Sequence, residues 1–211
     1  MSIINNFNII KKEISNLSYK QPTIIAVSKS FSLNHIMSLI ESGHLDYGEN
    51  KVQEAKEKWA NVLRNNKDLK LHLIGKLQSN KVKDAFALFD FIHTLDNERL
   101  AKIFFNLEKN SKKKLKYFIQ VNIGHEQQKN GIDESLLSDF INFCRNDLTL
   151  NIIGLMCIPP INLDPLPFFK KMQKLKIDNN LSELSMGMSS DYEQALVCGS
   201  TYLRIGSAIF K

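Results

Sequence analysis

The stretch Thr23-Ile24-Ile25-Ala26-Val27-Ser28-Lys29 is the most informative part of the sequence. Its first five residues are apolar or β-favouring, a pattern typical of a strand that is buried on both faces of a parallel sheet. The stretch ends on a lysine, and an ammonium group at the end of a buried strand is costly unless it is used. Such a lysine can anchor a phosphate, form a Schiff base with a carbonyl cofactor after desolvation has lowered its pKa, or simply reach solvent. On its own, this stretch favours the last of these, a lysine side chain that reaches solvent.

Seven further short apolar segments follow this stretch, and helical patterns separate them. They lie at residues 45–47, 71–74, 91–94, 117–122, 152–156, 184–186 and 202–205, and an amphipathic helix over residues 3–17 precedes them all. The alternation predicts parallel βαβ units, and eight units predict a closed (β/α)8 TIM barrel with an extra amino-terminal helix, in a single domain over residues 1–211. An open doubly wound sheet is the alternative, but no glycine-rich fingerprint follows the first strand.

The composition excludes several classes of protein. The 211 residues are 43% hydrophobic and 24% charged, as in ordinary globular proteins. The sequence has no run of eighteen apolar residues and no signal-peptide pattern, so we expect a cytoplasmic protein without a membrane partner. Cys144, Cys157 and Cys198 are widely spaced and indicate neither a zinc site nor a disulfide framework. The five histidines show no HExxH spacing, so we expect no metal, and His93 is expected to be a structural histidine.

The net charge of +6 and the pI near 9.1 suit either a nucleic acid or a small anionic ligand. The lysines concentrate in residues 109–116 and 170–176, where no aromatic residues are interleaved for base stacking. We therefore expect no nucleic-acid partner.

Two loops near the carboxyl terminus have the composition of a phosphate site. Residues 187–191 follow the seventh strand and residues 206–208 follow the eighth, the positions where (β/α)8 barrels bind phosphate. Each loop offers a glycine, hydroxyl groups and free backbone N–H groups. The alternative is that Ser189 and Ser190 only cap a helix, and that Gly206 only turns the chain.

Arg204 lies within the eighth strand, between two apolar residues. Strand alternation points it opposite those neighbours, either into the barrel or towards a helix, where a carboxylate would pair with it. Together with Lys29 and the two loops, an inward Arg204 suggests pyridoxal phosphate: the lysine holds the aldehyde, the loops hold the phosphate, and the arginine meets the ring nitrogen. An arginine there donates a hydrogen bond and keeps the ring nitrogen unprotonated, which weakens the ring as an electron sink.

Several longer stretches resemble the pyridoxal phosphate homeostasis proteins (YggS/PROSC-like), in the expected order from residue 24 to the carboxyl terminus. They are Ala26-Val27-Ser28-Lys29, Tyr47 to Glu54, His72 to Lys81, Gln120 to Ile123, Lys129-Asn130-Gly131-Ile132, Gly154 to Pro159, Leu184 to Asp191 and Gly199 to Phe210. The family is similar to the barrel half of alanine racemase.

The resemblance implies a role for seven residues. Lys29 is the Schiff-base lysine, Arg204 is the partner of the ring nitrogen, and Asn50 lies beside the cofactor. The phosphate cup consists of Ser189, Ser190, Gly206 and Ser207.

The resemblance also implies a protein that binds pyridoxal 5'-phosphate and serves vitamin B6 homeostasis without robust turnover. Its partners are then the cofactor and pyridoxal-phosphate-dependent apo-enzymes that exchange it. Nothing in the sequence requires more than a monomer. The enzymatic alternative is an amino-acid racemase, which needs a second base from an additional domain, and the eight βα units leave no room for one. A phosphate-binding barrel without a Schiff base is a third possibility.

Overall fold

The computed structural model describes residues 2–18, 20–126, 128 and 130–211. Its strands are β1 (Thr23–Val27), β2 (Asp46–Glu49), β3 (Lys70–Leu73), β4 (Phe91–Leu95), β5 (Lys116–Gln120), β6 (Ile152–Met156), β7 (Glu183–Met188) and β8 (Tyr202–Ile205). Its α-helices are α1 (Ile3–Leu17), α2 (Leu33–Glu41), α3 (Val52–Asn65), α4 (Val82–Leu88), α5 (Glu98–Lys109), α6 (Leu137–Asn142), α7 (Leu166–Asp178), α8 (Tyr192–Val197) and α9 (Ser207–Phe210).

The eight strands form one closed barrel, in which each strand pairs in parallel with the next. β8 returns to pair with β1, with Ile25 opposite Arg204 and Ala26 opposite Ile205. The predicted (β/α)8 barrel with an additional amino-terminal helix is therefore confirmed, and the open doubly wound sheet is wrong.

The second strand lies further along the chain than predicted. The sequence places it at residues 45–47 and ends it at Gly48, because glycine ordinarily marks a turn. In the structure Gly48 and Glu49 continue the strand and pair with His72 and Leu73. Gly48 is needed for space, since a Cβ atom there would lie 2.8 Å from the Cγ2 atom of Ile25. The absence of a side chain reflects close packing inside the barrel rather than a turn.

Some helix boundaries also differ from the sequence pattern. By residue type, Ser79 or Asn80 is predicted to cap the fourth helix. Both residues instead lie in a 3-10 turn, and α4 begins at Val82 without a side-chain cap. The sequence pattern predicts one helix from Asp133 to about Arg145. In the structure this segment is divided into a 3-10 turn, α6 and a π-helical turn over Phe143–Asp147. The short helix α9 has too few residues for a helical period to be visible in the sequence.

The core has an outer and an inner part. Trp59, Phe104 and Phe169 are fully buried between the barrel and its helices. Inside the barrel, Phe91, Phe118 and Met156 form a separate cluster against Tyr202. In the part of the chain that the structure describes, no helix is long and apolar enough to cross a membrane.

Candidate functional site

One cavity of about 520 Å³ opens at the carboxyl ends of the strands. All seven residues that the sequence singled out line it: Lys29, Asn50, Ser189, Ser190, Arg204, Gly206 and Ser207. Apolar side chains, including Phe31, Ile74 and Ile158, complete the wall. The cavity thus combines an apolar wall with cationic and hydroxyl groups, which suits a flat anionic ligand.

Lys29 directly follows the buried end of β1. Burial extends through Ser28, and the Lys29 side chain is exposed at the mouth of the cavity, as the stretch alone predicts. Within the described residues, Lys29 makes no hydrogen bond or ion pair, which leaves its amine available to a ligand.

A buried network on the outer side of the barrel holds the backbone in front of Lys29. Glu49 Oε1 accepts hydrogen bonds from Ser28 Oγ at 2.8 Å, from Lys58 Nζ at 2.8 Å and from Trp59 Nε1 at 2.9 Å. Lys58 Nζ also donates to the Ser28 carbonyl at 2.7 Å. In the sequence, Asp46 and Glu49 flank the end of the second strand, and such a carboxylate pair is by itself weak evidence for glycosidase chemistry. The two residues are separated, because strand alternation points Asp46 into the barrel and Glu49 towards α3.

The two predicted phosphate loops are joined through Ser189. Its hydroxyl oxygen accepts hydrogen bonds from the backbone N–H groups of Gly206 and Ala208, both at 3.3 Å. Ser189 and Ser190 do not cap α8, which begins at Tyr192 without a side-chain cap. Gly187 allows the tight turn, since it has a φ of +92° and an added Cβ atom would lie 2.7 Å from the Cβ atom of Ala195. Hydroxyl and amide donors therefore converge on one side of the cavity.

Arg204 points into the barrel and is only 4% exposed. Its Nη1 donates to Ser185 Oγ at 2.8 Å and its Nη2 donates to the carbonyl oxygen of Cys157 at 2.9 Å. Burial lowers the pKa of the guanidinium. The alternative of a carboxylate partner is not met among the described residues. Arg204 still has N–H groups to offer, and it lines the cavity.

Asn50 follows β2 and is fixed by a close approach of two loops. Gly75 packs so tightly against it that a Cβ atom on Gly75 would lie 2.2 Å from the Asn50 carbonyl oxygen. Lys129, which opens the Lys129–Ile132 stretch of the family resemblance, lies outside the described residues. No cluster of three or more histidine, cysteine or acidic residues that could hold a metal occurs in the described part of the chain.

Four polar residues lie inside the barrel, and the sequence pattern gave none of them a part in the cavity, although it predicted a structural role for His93. Ser185, His93, His72 and Asp46 follow one another from Arg204 towards the opposite end of the barrel. The available signal was the presence of polar residues within short apolar strands, which strand alternation alone cannot assign to the inside or the outside.

Cys157 should be unreactive in the folded protein. Its carbonyl group binds Arg204, and burial raises the pKa of its thiol to about 12. At pH 8 only about one thiol in ten thousand would then be a thiolate, the form that reacts. Cys144 and Cys198 are also buried free thiols. We expect a thiol reagent to label the native protein only as fast as it unfolds, and to label all three cysteines at once in guanidinium chloride. Rapid labelling of Cys157 in native protein, mapped by mass spectrometry, would contradict this.

Comparison with known proteins identifies a family whose model spans almost the whole chain. The family model for the alanine racemase N-terminal domain matches residues 2–211. A pyridoxal phosphate homeostasis protein from Haemophilus influenzae is 32% identical over 226 residues, covering 100% of this chain and 95% of the relative. A protein of the same name from Pasteurella multocida is 36% identical over 197 residues, covering 89% and 84%.

Solved structures show the same relationship. PipY from Synechococcus elongatus PCC7942, solved with pyridoxal phosphate bound, superposes with a TM-score of 0.85 at 32% identity and covers 100% of both chains. Alanine racemase from Corynebacterium glutamicum has a TM-score of 0.72 at 14% identity, covering 98% of this chain and 59% of the racemase. At that identity the likeness to the racemase concerns the fold alone.

Proposed function

We propose, since the chain belongs to the alanine racemase N-terminal domain family and within it to the pyridoxal phosphate homeostasis proteins, that it binds pyridoxal 5'-phosphate and serves intracellular vitamin B6 homeostasis. The observation that carries this proposal is the convergence of Lys29, Arg204 and the Ser189–Ser207 hydroxyl groups on one cavity. The bound form of PipY and the names of the relatives support it.

The donors in the cavity fit the three polar parts of the cofactor. Lys29, which has no other partner among the described residues, supplies the amine for the aldehyde. Ser189, Ser190, Gly206 and Ser207 supply hydroxyl and amide donors for the phosphate. Arg204 would supply a donor for the ring nitrogen, and Asn50 lines the same cavity from the loop after β2. When bound, the cofactor supplies a reactive carbonyl group and a conjugated ring that can accept electrons.

The residues of the chain favour retention of the cofactor over turnover. A permanently charged Arg204 would donate a hydrogen bond to the ring nitrogen and could not give it a proton, which would leave the ring a weak electron sink. We therefore propose a carrier without robust catalytic activity, a single barrel domain over residues 1–211 that acts as a cytoplasmic monomer. In this proposal, pyridoxal-phosphate-dependent apo-enzymes receive the cofactor.

Replacing Lys29 with alanine should abolish the covalent complex. We expect wild-type protein incubated with pyridoxal phosphate to gain a visible absorption band, and borohydride reduction followed by peptide mapping to find the adduct on Lys29. Lys29→Ala should stay colourless. Lys211, a second lysine that lines the cavity, provides the matched control, and Lys211→Ala should behave like the wild type.

An adduct on Lys211, or equal colour in wild type and Lys29→Ala, would overturn the assignment of Lys29. A colourless wild type that also fails to bind the cofactor in dialysis would overturn the proposed function itself. Exchange of the α-proton of alanine in deuterated water, at the rates of an enzyme, would replace the carrier with a racemase.

A further inference from the structure

A row of polar side chains crosses the interior of the barrel from the cavity to its opposite end. Arg204 Nη1 lies 2.8 Å from Ser185 Oγ, and Ser185 Oγ lies 2.8 Å from His93 Nδ1. His93 Nε2 then lies 2.9 Å from His72 Nδ1, and His72 Nε2 lies 2.9 Å from Asp46 Oδ1. The five residues come from β8, β7, β4, β3 and β2, so the row depends on the closed barrel.

The three middle members of the row are completely buried, whereas its far end reaches water. Ser185, His93 and His72 have no exposed surface, and the Asp46 side chain is 25% exposed. Asp46 lines a second cavity, of about 740 Å³, at the amino-terminal end of the strands. The row therefore links the cofactor cavity to a solvated carboxylate on the other side of the barrel.

Burial favours the neutral imidazole form of both histidines. Burial lowers the pKa of His72, and burial together with the nearby Arg204 charge lowers the pKa of His93 well below its usual range. A neutral imidazole carries one N–H donor and one acceptor nitrogen. Each ring therefore has to donate on one side of the row and accept on the other.

The two ends of the row fix the direction of every hydrogen bond. Because the Asp46 carboxylate can only accept, His72 Nε2 donates to it, which makes His72 Nδ1 an acceptor for His93 Nε2–H. His93 Nδ1 is then an acceptor for the Ser185 hydroxyl proton. The Ser185 oxygen presents its lone pairs to Arg204, which can only donate. A single arrangement of protons thus satisfies all four contacts.

We propose that Asp46, His72, His93 and Ser185 are positioning residues that hold the Arg204 guanidinium in place for the ring nitrogen of pyridoxal phosphate. This inference rests on the proposed function. Arg204 has no direct carboxylate partner among the described residues, and the row connects it to the negative charge of Asp46 through three neutral groups. Hydrogen bonds in such a chain polarise one another and strengthen the last link, from Arg204 to Ser185.

Other groups around the row do not provide this link. Asp191 acts on Arg204 through its charge, and Cys157 accepts through its carbonyl group. Asp90 and Lys116 act on His72 through their charges alone. The ring of Phe91 stacks on His72 at 4.2 Å, which fixes the plane of that ring without a hydrogen bond.

The proton arrangement can be tested in the protein without its cofactor. In long-range 1H–15N spectra of the histidine rings, we expect His72 and His93 to be neutral Nε2–H tautomers at pH 7. In Asp46→Asn, the ring nitrogen signals of His72 should move, and a smaller change should reach His93. Glu183→Gln, on the strand that carries Ser185 but outside the row, is the matched control and should leave both rings unchanged.

The effect on Arg204 can be tested through cofactor affinity. In the wild-type protein the ring centroids of His93 and Phe118 lie 4.3 Å apart. His93→Phe keeps an aromatic ring at this position but leaves the Ser185 hydroxyl without its acceptor. We expect it to raise the Kd for pyridoxal phosphate about tenfold, the loss of roughly one buried hydrogen bond. Asp46→Asn, which lies far from the cavity and should fold normally, is expected to raise the Kd about threefold. Glu183→Gln should bind like the wild type.

The outcomes distinguish a failure of the proposed positioning role from a failure of the proposed function. An Nδ1–H tautomer or a charged ring at His93 in the apo-protein would overturn the inference, whether or not pyridoxal phosphate binds. Wild-type affinity in both Asp46→Asn and folded His93→Phe would overturn it too. If His93→Phe does not fold, the Asp46→Asn affinity and ring signals decide alone. Failure of the wild type to bind pyridoxal phosphate would instead reject the proposed function and leave the tautomer test standing.

Discussion

Replacing Glu49 with alanine should lower the free energy of unfolding by about 3 to 5 kcal/mol, the usual cost of removing one partner of a buried ion pair. The Glu49 side chain has no exposed surface, and its Lys58 partner is 12% exposed. Without the carboxylate, the Trp59 N–H and the Ser28 hydroxyl lose their acceptor inside the protein, and the Lys58 ammonium is left without its counter-charge. Urea unfolding followed by circular dichroism would measure the change.

A second lysine–glutamate pair, at the amino-terminal end of α3, provides the control for this experiment. Lys51 and Glu54 lie 2.6 Å apart, but their side chains are 71% and 47% exposed. Glu54→Ala should cost at most about 1 kcal/mol, because water screens exposed pairs. Equal effects of Glu49→Ala and Glu54→Ala would show that burial does not determine the strength of the Glu49 network. Glu49→Gln, which retains an acceptor oxygen without the charge, should lie between wild type and Glu49→Ala.

Replacing Gly75 with alanine should both destabilise the barrel and weaken cofactor binding. The new Cβ atom would meet the Asn50 backbone, at 2.2 Å from its oxygen and 2.7 Å from its Cα atom. A backbone cannot rotate away as a flexible side chain can, so we expect a loss of about 3 kcal/mol, the upper part of the range for overpacking. Because Asn50 lines the cavity, its displacement should also raise the Kd for pyridoxal phosphate.

Gly43→Ala is the control for Gly75→Ala, because it introduces backbone strain without a steric clash. Gly43 has a φ of +88°, and an added Cβ atom would have no neighbour within 4 Å. Its substitution should cost about 1 kcal/mol for the left-handed backbone and should leave the Kd unchanged. The Gly75 prediction would be wrong if Gly75→Ala bound the cofactor as tightly as Gly43→Ala.

The barrel can be predicted from the sequence because each strand has a recognisable local pattern. Runs such as Ile152 to Met156 are short and apolar, and glycine, proline or polar loops bound them. Helix ends are less visible, since Ser79 has the residue type of a cap and yet lies within a 3-10 turn. Gly48 shows the same limit in a strand, where the contact that demands a glycine comes from another strand.

The cavity was predictable to the extent that its residues lie at strand ends. Lys29 and the glycine–serine loops stand where a parallel barrel collects its functional groups, so order along the chain was enough to bring them together. The Glu49 network and the row from Arg204 to Asp46 were not predictable, because each joins residues from different strands by side-chain contacts. Ser185 and His93, for example, are 92 residues apart in the chain and 2.8 Å apart in the structure.

The closure of the barrel at β1 and β8 has a thermodynamic consequence. Lys29 follows β1, Arg204 lies in β8, and Gly206 follows β8. Separation of β1 from β8 would therefore separate residues that line the same cavity. A ligand that needs both sides stabilises the closed state by an amount that grows with the logarithm of its concentration over its Kd. Amide hydrogens that pair β1 with β8 then exchange more slowly as the ligand accumulates. The exchange rate of these amide hydrogens therefore depends on the concentration of the cofactor.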